Sequence, residues 1–250
     1  MTSAFGQSQY QVRFDWGIQG MDAVAADADV VVVVDVLSFS TTVELAVTHG
    51  VDVLPSAPDT AAALAKERRA TLAGARGIGP GLSPASITAE SLVGVDRLVL
   101  PSLNGSRLVA AIRDSRAQVV AGCLRNAVAV ARWALLQQGD KGNRFVIAVI
   151  GAGEEREDGT LRFALEDLLG AGAVIDALAE VGIDYCSPEA AAAASAFTGL
   201  RNATGHLIGA SASGRELSER GFRGDIDLAI ELNASDTVPV FREFAFSSQR

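Results

Sequence analysis

The chain has 250 residues, 49% of them hydrophobic, and a formal net charge of −9. This length is enough for one large α/β domain or two small ones. The acidic balance disfavours a nucleic-acid-binding protein, because neutralising phosphates requires clustered Lys and Arg. With two Cys and two His, neither a disulfide framework nor a His-rich zinc site is expected. A metal-binding protein of this composition would use carboxylates, and therefore Mg²⁺ or a similar hard cation.

The hydrophobic stretches are too short to cross a membrane. The valine run Val30 to Val34 stops at Asp35, and no run of about 18 apolar residues occurs, so no membrane span is predicted. The first residues do not combine a charged start with an apolar block, which argues against a secretory signal. We therefore expect a cytoplasmic protein that has neither a membrane nor a nucleic acid as its partner.

A repeated unit of strand, polar turn and helix accounts for most of the chain between residues 30 and 181. The valine run at 30–34 suits a strand that is covered on both faces, as in a parallel sheet. Four such units predict an α/β fold, layered α/β/α around a largely parallel or mixed central sheet. No firm boundary interrupts the pattern, so we predict a single domain over residues 1–250. The strands are predicted at 30–34, 98–100, 118–121 and 145–150, and the last of the four helices at about 161–181.

The remaining segments connect or follow these units. Residues 74–84, GARGIGPGLSP, predict a long ordered loop, since the hydrophobic pattern resumes promptly on both sides. After Pro188, the stretch AAAAASAF predicts a helix of high intrinsic propensity. The tail from Gly214 predicts one helix at GRELSERG, a second headed by Asp225, and a last short strand at 238–241.

The polar turns after the strands are expected to converge on one edge of the sheet. There, helix dipoles and free backbone N–H groups favour an anion such as a phosphate or a sulfonate. The alternative interpretation is that residues such as Ser40, Asn104 and Asn126 simply cap helices. The candidate residues on this edge are Asp35, Ser38, Ser40, Thr41, Asn104, Gly105, Ser106, Arg125, Asn126 and residues 151–153.

Three carboxylates stand apart from the ordinary charged surface. Asp35 directly follows the valine run and must be satisfied by hydrogen bonds, a cation or water, although a salt bridge to a structural Arg is an alternative. Glu166 and Asp167 lie among small and apolar residues at helical spacing, which indicates metal ligands or a general base. For Glu166, an ion pair with Arg162 is the competing interpretation.

Five segments, in order and with compatible spacing, resemble the 2-phosphosulfolactate phosphatase (ComB-like) family. The family's DVLRAST opening is similar to VVVVDVLSFSTT, its TNGT turn to SLNGSRL, and its GSFLNA turn to GCLRNA. The family's CAG strand end and SLED helix are similar to GAGEEREDGTLRFALEDLLGAGAVIDAL, and its closing block to GRELSERGFRGDIDLAIELNASDTVPV. The resemblance therefore extends over nearly the whole chain.

The resemblance implies a Mg²⁺-dependent hydrolase that removes phosphate from 2-phosphosulfolactate on the route to coenzyme M, and a homodimer. The family's site residues are carried over one by one and joined to the turns above. Together they predict a catalytic group, which includes the metal ligands, and a substrate-binding group. The catalytic group is Asp35, Glu166, Asp167 and Asp225, of which the first three would hold the metal. The substrate-binding group is Ser40, Arg76, Asn104, Gly105, Ser106, Arg125 and Asn126.

The chain also departs from the family pattern at residues that would orient a metal or a substrate. Ser38 replaces the Arg that follows DVL, and Ala75 replaces the Glu of the GER turn while Arg76 is retained. The family's GFDxGNSP loop is shortened to IGPGLSP and lacks its acid and its Asn.

These departures keep three functions open. The first is a Mg²⁺-assisted phosphatase in which bound water attacks, since Leu37 breaks the DxD spacing of aspartate-nucleophile phosphatases. The second is a non-catalytic member of the family that binds a small phosphorylated or carboxylated ligand. The third is an α/β enzyme that acts on another phosphate ester.

Overall fold

A computed structural model describes residues 4–248. The strands are β1 (Val12–Trp16), β2 (Val30–Val34), β3 (Asp52–Ser56), β4 (Thr71–Leu72), β5 (Arg97–Pro101), β6 (Gln118–Gly122), β7 (Ile147–Gly151), β8 (Glu154–Glu155), β9 (Leu161–Arg162), β10 (Pro239–Arg242) and β11 (Ala245–Ser248). The α-helices are α1 (Gly17–Val24), α2 (Phe39–Thr48), α3 (Ala61–Arg68), α4 (Gly105–Ile112), α5 (Ala127–Gln138), α6 (Leu165–Glu180), α7 (Pro188–Leu200), α8 (Thr204–Ala210), α9 (Ala212–Glu219) and α10 (Arg223–Ala229).

Nine strands form one mixed sheet in the order β1-β7-β2-β6-β10-β11-β3-β5-β4. The pairs β1–β7, β7–β2, β2–β6, β3–β5 and β5–β4 are parallel. The antiparallel hairpin β10–β11 lies between the two parallel groups and pairs with β6 and β3. The predicted mixed sheet is thus confirmed, and β8 and β9 form a separate hairpin.

Alternate valines of β2 point to opposite faces of the sheet, and each face carries its own hydrophobic core. Val30, Val32 and Val34 pack in a core with residues of α5, α6 and α7. Val31 and Val33 pack in a second core with residues of α1, α2 and α4. The strand is therefore buried on both faces, which explains why its sequence is an unbroken apolar run.

The sequence located most elements correctly and missed several short ones. The predicted strand at 145–150 is shifted, because β7 spans Ile147–Gly151, and the predicted helix at 161–181 begins later, at Leu165, after the hairpin strand β9. The final strand at 238–241 pairs with a further strand, β11. Strands β1 and β3 were not predicted, since VRFDW contains two charges and DVLPS contains a proline. No helix in the described residues is long and apolar enough to cross a bilayer.

Candidate active site

Asp35 lies directly after β2 and joins two turns at the carboxyl edge of the sheet. Its carboxylate accepts the backbone N–H of Phe39 (3.2 Å) on Oδ1 and that of Gly105 (3.0 Å) on Oδ2. The residue is buried, at 6% exposure, and within the described part of the chain it forms no ion pair. The carboxylate is therefore held by backbone donors, and the alternative of a salt bridge to a structural Arg does not apply to these residues.

Asp167, in the first turn of α6, holds the turn after β2 and the turn after β7 in the same way. Its Oδ1 accepts the N–H of Val36 (2.7 Å) and its Oδ2 accepts the N–H of Gly153 (2.9 Å). Close approach of the helix makes this contact feasible, because a Cβ on Gly170 would lie 2.5 Å from a methyl of Val36. The small face of α6 thus brings its acidic first turn against the end of β2.

Glu166 is buried at 3% exposure beside these two aspartates. Burial, followed by the charges of Glu154 and Glu166, raises the pKa of Asp35 to about 6. Burial, followed by the charges of Asp35 and Glu166, raises the pKa of Asp167 well above its ordinary value. Among the described residues the Glu166 carboxylate has no hydrogen bond or ion pair. The competing interpretation, an ion pair with Arg162, does not apply, because Arg162 pairs with Glu154 at 3.1 Å.

Arg76 is a cation whose charge interacts with that of Asp35. Its guanidinium pairs with Asp225, and its other terminal nitrogen donates to Ser38 Oγ at 3.0 Å. Asp225 is fully buried at the start of α10 and also accepts the Ser83 hydroxyl and the N–H of Ala85 (3.0 Å). Asp225 therefore positions Arg76 against the turn that follows β2.

The turn after β5 carries Asn104, Gly105 and Ser106. A Cβ on Gly105 would lie 2.2 Å from the Phe39 ring, so only glycine fits at the position that donates to Asp35. Ser106 is buried and donates to the carbonyl of Leu100 (3.3 Å). The Asn104 side chain has no hydrogen-bond partner among residues 4–248 and lines an adjoining cleft. It is thus available to a ligand.

Sequence comparisons identify the proteins to which this chain is similar. A family profile described as 2-phosphosulpholactate phosphatase matches residues 20–243. The chain belongs to the 2-phosphosulfolactate phosphatase family. It is 32% identical over 218 residues to the 2-phosphosulfolactate phosphatase of Methanothermobacter thermautotrophicus, covering 85% of this chain and 86% of the relative. It is 30% identical over 220 residues to the "Probable 2-phosphosulfolactate phosphatase" of Deinococcus radiodurans, covering 84% and 87%.

Two residues that were predicted to bind substrate in this phosphatase-family site are fully engaged with the backbone. Ser40 is completely buried, and its hydroxyl donates to the carbonyl of Val33 (2.9 Å) and accepts the N–H of Asp35 (3.1 Å). The Asn126 carboxamide accepts the N–H of Cys123 (2.9 Å) and donates to two carbonyls, each at 3.1 Å. Both side chains hold the turns in place, and their polar atoms are bound by backbone groups.

Arg125, a third predicted substrate ligand, is part of a separate ion-pair network. Its Nε donates to the fully buried Glu44 (2.6 Å), and its NH1 pairs with Glu231 and donates to the carbonyl of Leu228 (3.3 Å). This network ties the turn after β6 to α2 and to the end of α10. The guanidinium is therefore occupied by protein groups, and Arg76 is the better placed cation of the two.

A cleft of about 450 Å³ adjoins the carboxylate cluster, which is within the usual range for small-ligand pockets. Asn104 and Ala152 line it and are the chain neighbours of Gly105 and Gly153, which donate to Asp35 and Asp167. The cleft is further lined by Trp16, Gly17, Ile18, Gln19, Leu103, Arg107, Leu108, Glu154, Glu155, Gly159, Thr160 and Leu161.

Several of these residues were not predicted from the sequence. The segment 16–19, at the end of β1 and the start of α1, lines the cleft, but it carries no motif that marks it as part of a site. Glu154 lies in an acidic run that carries no recognisable site motif, yet it accepts the Ser213 hydroxyl (2.5 Å) and its charge acts on Asp35. Ser83 donates a hydrogen bond to Asp225 and lies in the predicted loop at 74–84. Nothing in the sequence indicated that this serine contacts Asp225.

The donor set suits a hard cation in its chemistry. Asp35, Glu166 and Asp167 are buried, and burial, followed by the charges of neighbouring carboxylates, raises the pKa values of the two aspartates. Among the residues described, no group of three or more His, Cys, Asp or Glu side chains is arranged so that it could hold a metal ion. Mg²⁺ does not require a group of three, since it usually retains several waters and uses one or two carboxylates together with substrate phosphate.

Proposed function

We propose that this protein is a Mg²⁺-dependent phosphatase that hydrolyses a small anionic phosphate ester, with 2-phosphosulfolactate as the first candidate. The observation that carries the proposal is the convergence of three buried carboxylates and one positioned arginine on the carboxyl edge of the sheet. The names of the two relatives support the substrate. A cytoplasmic location and a homodimer remain predictions from the sequence.

The chain's own groups have distinct tasks in this proposal. Arg76, which Asp225 fixes beside Ser38, binds the phosphate of the ester and neutralises charge as it develops on the transferring group. Asn104 contributes a side-chain amide to the lining of the adjoining cleft. This cleft receives the rest of the ester. Glu166, which has no protein partner among the described residues, is free to orient the attacking water.

The Asp35 and Asp167 carboxylates contact backbone N–H groups and keep further lone pairs for a ligand. The cation would be held by one or two of Asp35, Glu166 and Asp167, together with water and the substrate phosphate. When bound, it supplies Lewis-acid polarisation of the phosphoryl oxygens. Both aspartates are already fixed by two backbone donors each, so they are preorganised for this role. We favour water as the nucleophile, because both Asp35 oxygens accept hydrogen bonds from the backbone.

The test is phosphate release from a panel of small phosphate esters, including 2-phosphosulfolactate, in Mg²⁺ and in EDTA. Wild type is expected to be active only with Mg²⁺, and Asp35→Asn to be inactive while keeping its circular dichroism spectrum. Turnover of non-sulfonated esters in preference to 2-phosphosulfolactate would assign another substrate of the same class. A folded wild type that hydrolyses no ester, and that binds 2-phosphosulfolactate equally in EDTA, would instead identify a non-catalytic binding member.

A further inference from the structure

A second cleft, of about 530 Å³, lies away from the candidate active site, on the sheet face beside the end of α3. Its walls include Asp52 and Arg97, the first residues of β3 and β5, which are direct neighbours in the parallel register. The candidate active site lies at the opposite, carboxyl ends of the parallel strands. The second cleft is therefore a separate feature of the surface.

Three arginines line this second cleft: Arg68, Arg97 and Arg242. In the described residues, Arg97 and Arg242 have no carboxylate within 4.0 Å, and Arg68 pairs only with its chain neighbour Glu67 (3.1 Å). The two acidic side chains that line the cleft, Asp52 and Glu243, form no ion pair with these arginines. In a chain with a net charge of −9, the lining of this cleft thus has a local excess of positive charge, with three arginines against two carboxylates.

The turn between β10 and β11 adds an aromatic wall to the cleft. Its two central residues, Glu243 and Phe244, have φ angles of 49° and 77°, which residues other than glycine adopt rarely. The Phe244 ring is half-exposed and lies 4.8 Å from the guanidinium carbon of Arg68. This stacking limits the motion of Arg68 and leaves its terminal nitrogens free to bind a ligand.

We propose that this cleft is a second binding site, for a small molecule that carries two linked phosphate groups. Guanidinium groups bind phosphate oxygens through paired, charge-assisted hydrogen bonds, and three of them around one cleft can accommodate more than one phosphate. A single surface arginine could not favour a ligand with two phosphates over a ligand with one. The site is independent of the proposed phosphatase activity, because none of its residues belongs to the carboxylate cluster or to the cleft beside it.

Inorganic pyrophosphate, in a buffer that contains no Mg²⁺, is the probe. Calorimetric titration of wild type should show binding, and Arg97→Ala combined with Arg242→Ala should weaken it about tenfold or more, since two charge-assisted contacts are removed. The matched control is Arg116→Ala, an exposed arginine outside the cleft, which should bind as wild type does. Both replaced arginines are exposed, so the double variant is expected to keep its fold.

Hydrogen exchange with and without pyrophosphate locates the site. Protection is expected in Asp52–Ser56 and in the hairpin Pro239–Ser248. Protection confined to the turns around Asp35 and Gly105 would place the anion in the active site and overturn the proposal. Equal affinity in the double variant, or no binding by wild type up to about 10 mM, would overturn it as well.

Discussion

The backbone N–H of Gly105 donates to Asp35 Oδ2 over 3.0 Å, so the turn after β5 fixes the carboxylate that follows β2. These two strands are not neighbours in the sheet, and β6, β10, β11 and β3 lie between them. The contact is formed by the turns beyond the strand ends and not by the strand ladder. Asp167 repeats this arrangement with Val36 and Gly153, and so three turns of the chain meet at two carboxylates.

Gly105→Ala should destabilise the protein and disturb the Asp35 contact. The new Cβ would lie 2.2 Å from the Phe39 ring, which is fully buried and cannot move away freely. We expect the free energy of unfolding to fall by roughly 1–3 kcal/mol, as measured by urea denaturation. Gly199→Ala is the control, because Gly199 lies in α7 with no atom within 4 Å of the added Cβ. An equal loss in both variants would show that the close packing at Gly105 is not the cause.

Wild-type stability in EDTA should fall as the pH rises from about 4 to above 6. The folded-state pKa of Asp35 is about 6, above its ordinary value of 3.8, so in this range the folded state binds more protons than the unfolded state. The contribution of Asp35 is up to about 3 kcal/mol, and the raised pKa of Asp167 acts in the same direction. Urea denaturation at several pH values measures the slope, which Asp35→Asn should reduce. A stability that rises through this range in wild type would contradict the account.

Mg²⁺ should raise the melting temperature of the wild type at neutral pH, because a bound cation relieves the repulsion within the carboxylate cluster. A concentration 100 times the dissociation constant would stabilise the fold by about 2.7 kcal/mol. Differential scanning fluorimetry with MgCl₂, against NaCl of equal ionic strength, measures this shift. Asp167→Asn should abolish it, since one of the proposed cation ligands is then neutral. An unchanged shift in this variant would exclude Asp167 from the cation site.

Arg125→Met should impair stability more than catalysis. It leaves the Glu44 carboxylate buried and without its partner, at a cost of about 3–5 kcal/mol in unfolding free energy. Glu231→Gln is the control, because Glu231 is about half-exposed and its ion pair should contribute no more than about 1 kcal/mol. If a folded Arg125→Met variant lost substrate affinity with unchanged stability, Arg125 would be a substrate ligand, as the sequence predicted.

The sequence predicted the fold class, and it singled out three carboxylates that the structure buries, for physical reasons. A buried valine run that ends in Asp35, and two acids on the small-residue face of α6, are unfavourable unless the carboxylates are satisfied by contacts from elsewhere in the chain. Such patterns mark a residue as unusual from its immediate neighbours alone.

Side-chain partners that are distant in the chain could not be predicted in this way. Arg76 and Arg125 have the same chemistry, and each follows a glycine-containing turn, yet one faces the carboxylate cluster and the other pairs with Glu44. Asn104 and Asn126 likewise occupy similar turns, but only the Asn126 amide is bound by backbone groups. The packing of α2 and of the chain after α10 decides which arginine faces the carboxylate cluster and which asparagine side chain stays unbound. The local sequence does not contain this information.

The most direct test of the central claim is the kcat/KM for 2-phosphosulfolactate of Glu166→Gln in Mg²⁺. Glu166 makes no hydrogen bond to the described residues, so the replacement removes a charge without breaking a protein contact. Its matched control is Glu180→Gln, at the exposed end of the same helix. We predict a loss of about 100-fold or more for Glu166→Gln and nearly unchanged activity for the control. Wild-type kcat/KM in a folded Glu166→Gln variant would contradict the assignment of the carboxylate cluster as the active site.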